Sequence, residues 1–332
     1  QIAAYRARAA RAEIQRQQKT GGINVIRYGM ARAITLGLEA VLPDGRVVSS
    51  LNKMLKNNAG FDIKQLFIGS EGTLGVITRA VLMLKPLPAS RNTALAALSG
   101  FDAVTALLTR LRRDLGATLS AFEMMQADYY RGVTAPGWHT APLARDYPYY
   151  VLFECDGADA ARDDARFQQV VEALFADAVI ADAVVPKSEA ERARLWAIRD
   201  DFEALLQHEP VYLYDVSLPI GDIERYVDTV KQKLVELLPG SESFTVGHVG
   251  DSNLHFFVHG PAQMDDGHER SNRAVYEPLQ RFGGSISAEH GIGIEKKSWL
   301  HVSRSDEEIA LMRMLKQTLD PAGLLNPGVV VD

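Results

Sequence analysis

From Leu36 to Ser50 the chain reads LGLEAVLPDGRVVSS, apolar and polar positions alternating on either side of Pro43-Asp44-Gly45. That pattern predicts two strands joined by a tight turn. A polar loop, Asn52 to Asp62, follows. Leu66-Phe67-Ile68 reads as a short buried strand running into Gly69-Ser70-Glu71-Gly72-Thr73-Leu74-Gly75. Val76-Ile77-Thr78 and Ala80 to Leu84 continue as strand and stop at Pro86 and Pro88, which marks a domain boundary. Beyond it, Phe101 to Leu115 has the apolar spacing of an amphipathic helix. Tyr149 to Glu154 is a strand, Ala158 to Phe175 a helix, Glu189 to Leu206 a helix, Val211 to Leu218 a strand and Ile220 to Leu238 a helix. The order implies an α+β fold whose helices lie on one face of an antiparallel sheet.

Two strand-like runs in SFTVGHVGDSNLHFFVH, Ser243 to His259, flank Gly250-Asp251-Ser252-Asn253, which is good turn chemistry. If those four residues are the loop, His248 pairs with His255 and both imidazoles project from one face. Leu254, Phe256 and Val258 then pack behind them. A loop of odd length would send the two histidines to opposite faces. The segment Ser285 to Lys297, SISAEHGIGIEKK, sets Glu289-His290 among glycines, which suits a bend that presents side chains. Two histidines and a carboxylate with a position left open are a common catalytic ligand set for Zn²⁺ or a similar ion. His248, His255 and Glu289 are therefore candidate metal ligands. A metal there would lower the pKa of a substrate hydroxyl, and the adjacent His290 could take the proton.

Composition narrows the classes. Of the 332 residues, 47% are hydrophobic and the formal net charge is -6, so no broad basic face for nucleic acid is implied. The single cysteine, Cys155, excludes an internal disulfide and fits a reducing compartment, hence a cytoplasmic location. Gln1 to Thr20 is rich in Arg, Ala and Gln and lacks the apolar core of a secretory signal. It reads as a basic surface helix if it folds at all, with a transit peptide as the alternative.

The Gly69 to Gly75 segment matches neither G-x-G-x-x-G nor a Walker pattern. It serves either as a tight inter-strand turn or as a close approach for a phosphate or flavin. Together with Gly21-Gly22 and Arg27-Tyr28-Gly29, LGLEAVLPDG, KNNAGFDIKQLFIGSEGTLGVIT, LWAIRD, DVSLP, VGHVGDSNLH, SAEHGIG and LDPAGLLNPG, it resembles the FAD-linked dehydrogenases of the vanillyl-alcohol-oxidase superfamily. The similar branch holds the D-lactate, glycolate and D-2-hydroxyglutarate dehydrogenases. The resemblance implies three parts. Residues 1–20 are an atypical segment, 21–88 the later portion of a PCMH-type FAD-binding domain, and 89–332 an α+β cap of the FAD-linked oxidase C-terminal type.

It further implies that Gly21, Gly22, Glu71, Gly72, Gly75, Val76, Ile77 and Asn326 contact FAD. His248, His255 and Glu289 would be its divalent-metal ligands, His290 its catalytic base. Asn253 would hold the substrate, and Arg199 would clamp a substrate carboxylate, a task suited to a guanidinium fork. The implied reaction moves a hydride from C2 of a 2-hydroxy acid to flavin. Electrons then pass to a carrier other than NAD, a quinone or an electron-transfer flavoprotein, and a homodimer is the implied assembly.

Two departures from the family pattern carry consequences. Some relatives place a Lys where this chain has Leu213, and a small hydroxyl residue can sit where it has Glu203. A diacid such as 2-hydroxyglutarate would lose a cationic partner here and meet a carboxylate, at a cost of about 1–3 kcal/mol. The family's FAD domain also begins far upstream of Gly21, and the residues before Gly21-Gly22 lack its Thr-Asn-Ala lead-in. Two competing readings follow: a cap fragment that binds metal without flavin, and a metal-dependent hydrolase using the same His/His/Glu set.

Overall fold

The computed structural model describes residues 22–332 apart from 24, 208, 262 and 263, so the basic helix expected over residues 1–20 lies outside the described residues, as does Gly21. The chain forms two compact units. Gly22, Tyr28–Pro86 and Ser285–Asp332 form the smaller one, Ile23–Arg27 with Leu87–Gly284 the larger.

In the smaller unit, β1 (Thr35–Val41) is the centre of a three-stranded antiparallel sheet between β2 (Val47–Ser50) and β3 (Val76–Leu82). The Pro43-Asp44-Gly45 turn forms as expected, with Gly45 N–H donating to the Leu42 carbonyl and φ +85° at Gly45. Leu66-Phe67-Ile68 is not a strand. It is a single helical turn, α1 (Lys64–Phe67), followed by Ile68. Phe67 and Ile68, though adjacent, are both buried in the core formed by Leu38, Ala40, Leu42 and Leu74. Consecutive strand side chains would point to opposite faces, and so short an apolar run has no period to decide between the two structures. The helix Asp306–Leu319 starts with a Ser305/Glu308 capping box and lays Leu315 and Leu319 on that same core. Lys316 from this helix is buried, donating to the carbonyls of Thr73 and Leu325 and pairing with Asp320.

The larger unit is built on a seven-stranded sheet in which every pair is antiparallel. Its strands are β4 (Ser90–Leu98), β5 (Leu119–Gln126), β6 (Tyr149–Gly157), β7 (Asp182–Val184), β8 (Val211–Ser217), β9 (Glu242–Gly247) and β10 (Asn253–His259), in the order β7-β4-β6-β5-β9-β10-β8. Helices α2 (Phe101–Leu115), α3 (Ala127–Val133), α4 (Ala160–Ala176), α5 (Glu189–Asp200), α6 (Ile223–Leu237) and α7 (Gly267–Phe282) cover it. The helix expected from Glu189 to Leu206 breaks after Asp200 and resumes as a 3₁₀ turn, Glu203–Leu206.

Helices occupy both faces, not one. Phe167 of α4 packs on Phe153, and Tyr226 of α6 on Phe256. Tyr129, Tyr130 and Val133 of α3, with Leu195 and Ile198 of α5, close over the opposite side chains Met125, Tyr150, Leu152, Val246 and Phe257. Central strands β5 and β6 are consequently buried at every position and carry no alternation. The short stretch before Tyr28 joins this unit because Arg27 donates to the carbonyls of Thr118 and Asp156. No helix among the described residues is long and apolar enough to cross a membrane.

Candidate active site

Strands β9 and β10 form the expected hairpin, but in a different register. His255 faces Val246, not His248. The loop is a 3₁₀ turn, Val249–Asp251, closed by Ser252 in the left-handed region at φ +75°. The register is set at Gly247, where a Cβ would come within 2.3 Å of the Asn253 carbonyl oxygen. The turn is held from α2, where Arg112 donates to the Gly250 carbonyl at 2.6 Å. A slip of two residues leaves parity intact. His248 and His255 therefore share a face as diagonal neighbours, with ring centroids 5.4 Å apart and the rings nearly perpendicular. Leu254, Phe256 and Val258 point the other way and are fully buried.

The same face presents Glu123 of β5 and Arg199 in the last turn of α5. Glu123 is 1% exposed. Its Oε1 lies 2.7 Å from His248 Nδ1, and its Oε2 accepts from Arg199 Nε at 2.8 Å. Burial alone would raise the Glu123 pKa, but the Arg199 charge and the His248 contact outweigh it and hold the carboxyl below its ordinary range. An ionised carboxylate at Nδ1 selects the Nδ1–H tautomer and leaves the lone pair on Nε2. Arg199 Nη2 stands 3.4 Å from that nitrogen. Burial by itself would lower the Arg199 pKa, while the Glu123 charge more than restores it. The Tyr129 hydroxyl donates to the Arg199 carbonyl at 2.8 Å, anchoring the end of α5.

Asn253 opens β10 at 2% exposure, and its Nδ2 donates to Asp215 Oδ1 at 2.7 Å. Its Oδ1 is buried and takes no hydrogen bond among the described residues. A buried amide oxygen left in that state is costly unless a ligand hydroxyl or water completes it.

The smaller unit gathers a second set. Glu71 sits in the left-handed region at φ +55°, and its two carboxylate oxygens accept from the backbone N–H groups of Ile292 (2.8 Å) and Gly293 (2.9 Å). Asn326 Nδ2 donates to the Glu71 carbonyl at 2.6 Å. A Cβ on Gly72 would come 2.8 Å from that same Nδ2, and one on Gly75 would come 2.8 Å from the Phe67 ring. Both glycines thus have packing reasons within the protein. Val76 beside this turn is exposed, while Ile77 packs inward on the core. Gly22, at φ +97°, lies where a Cβ would be 4.0 Å from Glu289 Oε1. Residues 288–290 form a bend between Ser287 and Gly291, as expected, with Glu289 half-buried and His290 exposed.

The larger unit thus brings together His248, His255, Arg199 and Asn253, and the smaller one Glu71, Gly72, Gly75 and Asn326. Glu289 and His290 belong to the smaller unit. Glu123, Asp215 and Arg112 escaped the sequence reading. Glu123 did leave a signal, being the lone charge in the apolar run Leu119 to Met125, where a buried ion must be paired.

Residues 87–330 match the family described as FAD linked oxidases, C-terminal domain. The chain belongs to this family. Among its relatives is the mitochondrial D-2-hydroxyglutarate dehydrogenase of Danio rerio, 36% identical over 92% of this chain and 57% of the relative. The D-2-hydroxyglutarate dehydrogenase of Xanthomonas citri pv. viticola is 39% identical over 93% of this chain and 66% of the relative. A Schizosaccharomyces pombe mitochondrial protein, named provisionally as a D-lactate dehydrogenase, is 38% identical over 92% of this chain and 60% of its own length. The chain therefore spans 57% to 66% of the length of these three relatives. Solved structures share the fold: p-cresol methylhydroxylase aligns with TM-score 0.71 at 13% identity, covering 95% of this chain and 68% of that one. The 4-ethylphenol oxidase of Gulosibacter chungangensis aligns with TM-score 0.68 at 17% identity, covering 97% and 69%.

Proposed function

We propose that this family member oxidises a D-2-hydroxy acid to the 2-oxo acid with FAD as oxidant and a divalent cation, Zn²⁺ or a similar ion, at the substrate. The observation that carries the reading is the His248–Glu123–Arg199 arrangement with Asn253 beside it on β10. It offers an imidazole in the tautomer a metal requires, next to a buried guanidinium and an unsatisfied amide oxygen. The donor chemistry fits a cation: His248 and His255 supply imidazoles from one face, and Glu289 would supply a carboxylate. Such an ion would lower the pKa of the bound hydroxyl.

Within this reading Arg199 pairs with the substrate carboxylate, and Asn253 helps to hold the substrate beside it. His290 takes the hydroxyl proton on an imidazole nitrogen. Gly22, Glu71, Gly72, Gly75, Val76, Ile77 and Asn326 would hold FAD, which when bound accepts the hydride leaving C2. Electrons then leave for a carrier other than NAD. Leu213 shares the sheet face of Asp215, across from Phe257, and is 53% exposed. An apolar side chain there favours a short monoacid such as D-lactate over a diacid.

The test is anaerobic addition of D-lactate and of D-2-hydroxyglutarate to the flavin-loaded chain. Bleaching of the flavin spectrum, faster with D-lactate, is the expected outcome. Faster bleaching with D-2-hydroxyglutarate would reverse the substrate order, and a loaded flavin that no D-2-hydroxy acid bleaches would overturn the reading. Colourless protein that still binds Co²⁺, and loses it on His248→Ala, would instead favour a metal-binding chain that works without flavin.

A further inference from the structure

We infer that Glu123 is the positioning residue of this site, one carboxylate that sets both which nitrogen of His248 faces a cation and how the Arg199 guanidinium faces an anion. The inference rests on the metal reading above. Both neighbours of Glu123 donate: His248 through Nδ1–H to Oε1 at 2.7 Å, and Arg199 through Nε–H to Oε2 at 2.8 Å. Two donors converging on one side chain need two acceptor oxygens. Among side chains only a carboxylate has them; an amide would set an NH₂ group against one of the donors.

The contact of Arg199 Nη2 with His248 Nε2 at 3.4 Å favours the same tautomer, because a guanidinium can only donate. The three groups come from separate elements: Glu123 from β5, Arg199 from α5 and His248 from the end of β9. Their arrangement is thus a product of the sheet order and not of any local motif. The fold itself has little use for the charge. The neighbours of Glu123 on its own side of β5, Ala121 and Met125, are apolar and fully buried, and an apolar residue would be easier to bury than an ion. Carboxylate–imidazole pairs of this kind orient metal-bound histidines and raise their basicity.

The experiment compares the full chain with Glu123→Gln and with Glu123→Gln/Arg199→Met. Its readouts are ¹⁵N-histidine NMR of the metal-free protein, Co²⁺ titration and, in flavin-loaded protein, KM and kcat separately. His248 in the parent chain should be the Nδ1–H tautomer. Glu123→Gln should mix the tautomers, weaken Co²⁺ binding about 10- to 100-fold and raise KM for the hydroxy acid. In the double variant the introduced amide can turn its oxygen to His248 without competition. Co²⁺ affinity should then recover while KM stays high, which a merely structural role would not produce. Co²⁺ affinity within twofold of the parent in Glu123→Gln, with the tautomer unchanged, would overturn the inference. If the parent chain itself binds no Co²⁺, the metal reading falls and the tautomer measurement alone decides the role of Glu123. Should Glu123→Gln fail to fold, the double variant, which buries neither charge, serves in its place. A retained Nδ1–H tautomer with raised KM supports the inference, and a lost tautomer overturns it.

Discussion

Glu123 and Glu71 each present both carboxylate oxygens to donors, yet they hold different things. The donors to Glu123 are the side chains of His248 and Arg199, in a larger unit whose sheet is covered on both faces. Donors to Glu71 include the consecutive backbone N–H groups of Ile292 and Gly293, in the smaller unit. A carboxylate against side chains sets protonation and orientation, so the groups it holds stay chemically active. One against main chain sets the path of a loop. Burial separates them further: Glu123 is almost wholly enclosed and Glu71 only partly, so the loss of a partner should cost far more at the first.

That contrast can be broken by experiment, and Arg199→Ala should show the largest effect. It leaves the buried Glu123 charge with a single partner, and removing one member of a buried pair typically costs about 3–5 kcal/mol. Urea unfolding should register that loss. A change below about 1 kcal/mol would mean that water reaches Glu123 and the two carboxylates are alike.

Glu71→Gln comes next. The amide keeps one acceptor oxygen, so either Ile292 or Gly293 loses its partner, at about 1 kcal/mol in a half-buried setting. Amide hydrogen exchange at those two residues should speed up, while exchange in the seven-stranded sheet stays as it was. Equal acceleration in both units would deny that Glu71 acts locally.

The smallest effect concerns Asp320, a third carboxylate, which accepts from both a side chain and the main chain of the smaller unit. The Lys316 ammonium, then the Leu325 and Leu324 N–H groups, lower its carboxyl from 3.8 to about 2. A depressed pKa contributes stability that is complete above the unfolded value and fades as pH falls through the folded one. The parent chain should therefore lose stability between pH 3.8 and about 2. Asp320→Asn should flatten that part of the acid-unfolding curve. An unchanged curve would show that the Lys316–Asp320 pair adds nothing to this unit.

Much of the architecture was legible wherever one period dominated. Phe101–Leu115 is the helix that its apolar spacing predicts, and Tyr149–Gly157 and Val211–Ser217 are strands where their apolar runs lie. Legibility failed at β5, LSAFEMMQ, because a strand buried on both faces has no alternation to read and, unlike β6, its apolar run is broken by Ser120 and Glu123. It failed again at Lys64–Phe67, where three apolar residues could not separate a turn of helix from a strand. The candidate site divides the same way. The histidine pair and the Glu289-His290 bend stood out, whereas Glu123 did not, since its partners lie 76 and 125 residues along the chain.

Turn chemistry and donor types can be read from the local sequence, whereas the shared face of His248 and His255 follows from it only if their strands are joined in even register. Parity survives a two-residue slip, so the two histidines share a face in the observed register as well. Packing between the strands fixes that His255 faces Val246, because the register hangs on how closely Gly247 approaches Asn253. Only the tertiary structure decided the His248 tautomer, because the carboxylate and guanidinium that select it arrive from β5 and α5, brought beside β9 by the sheet order and not by proximity along the chain.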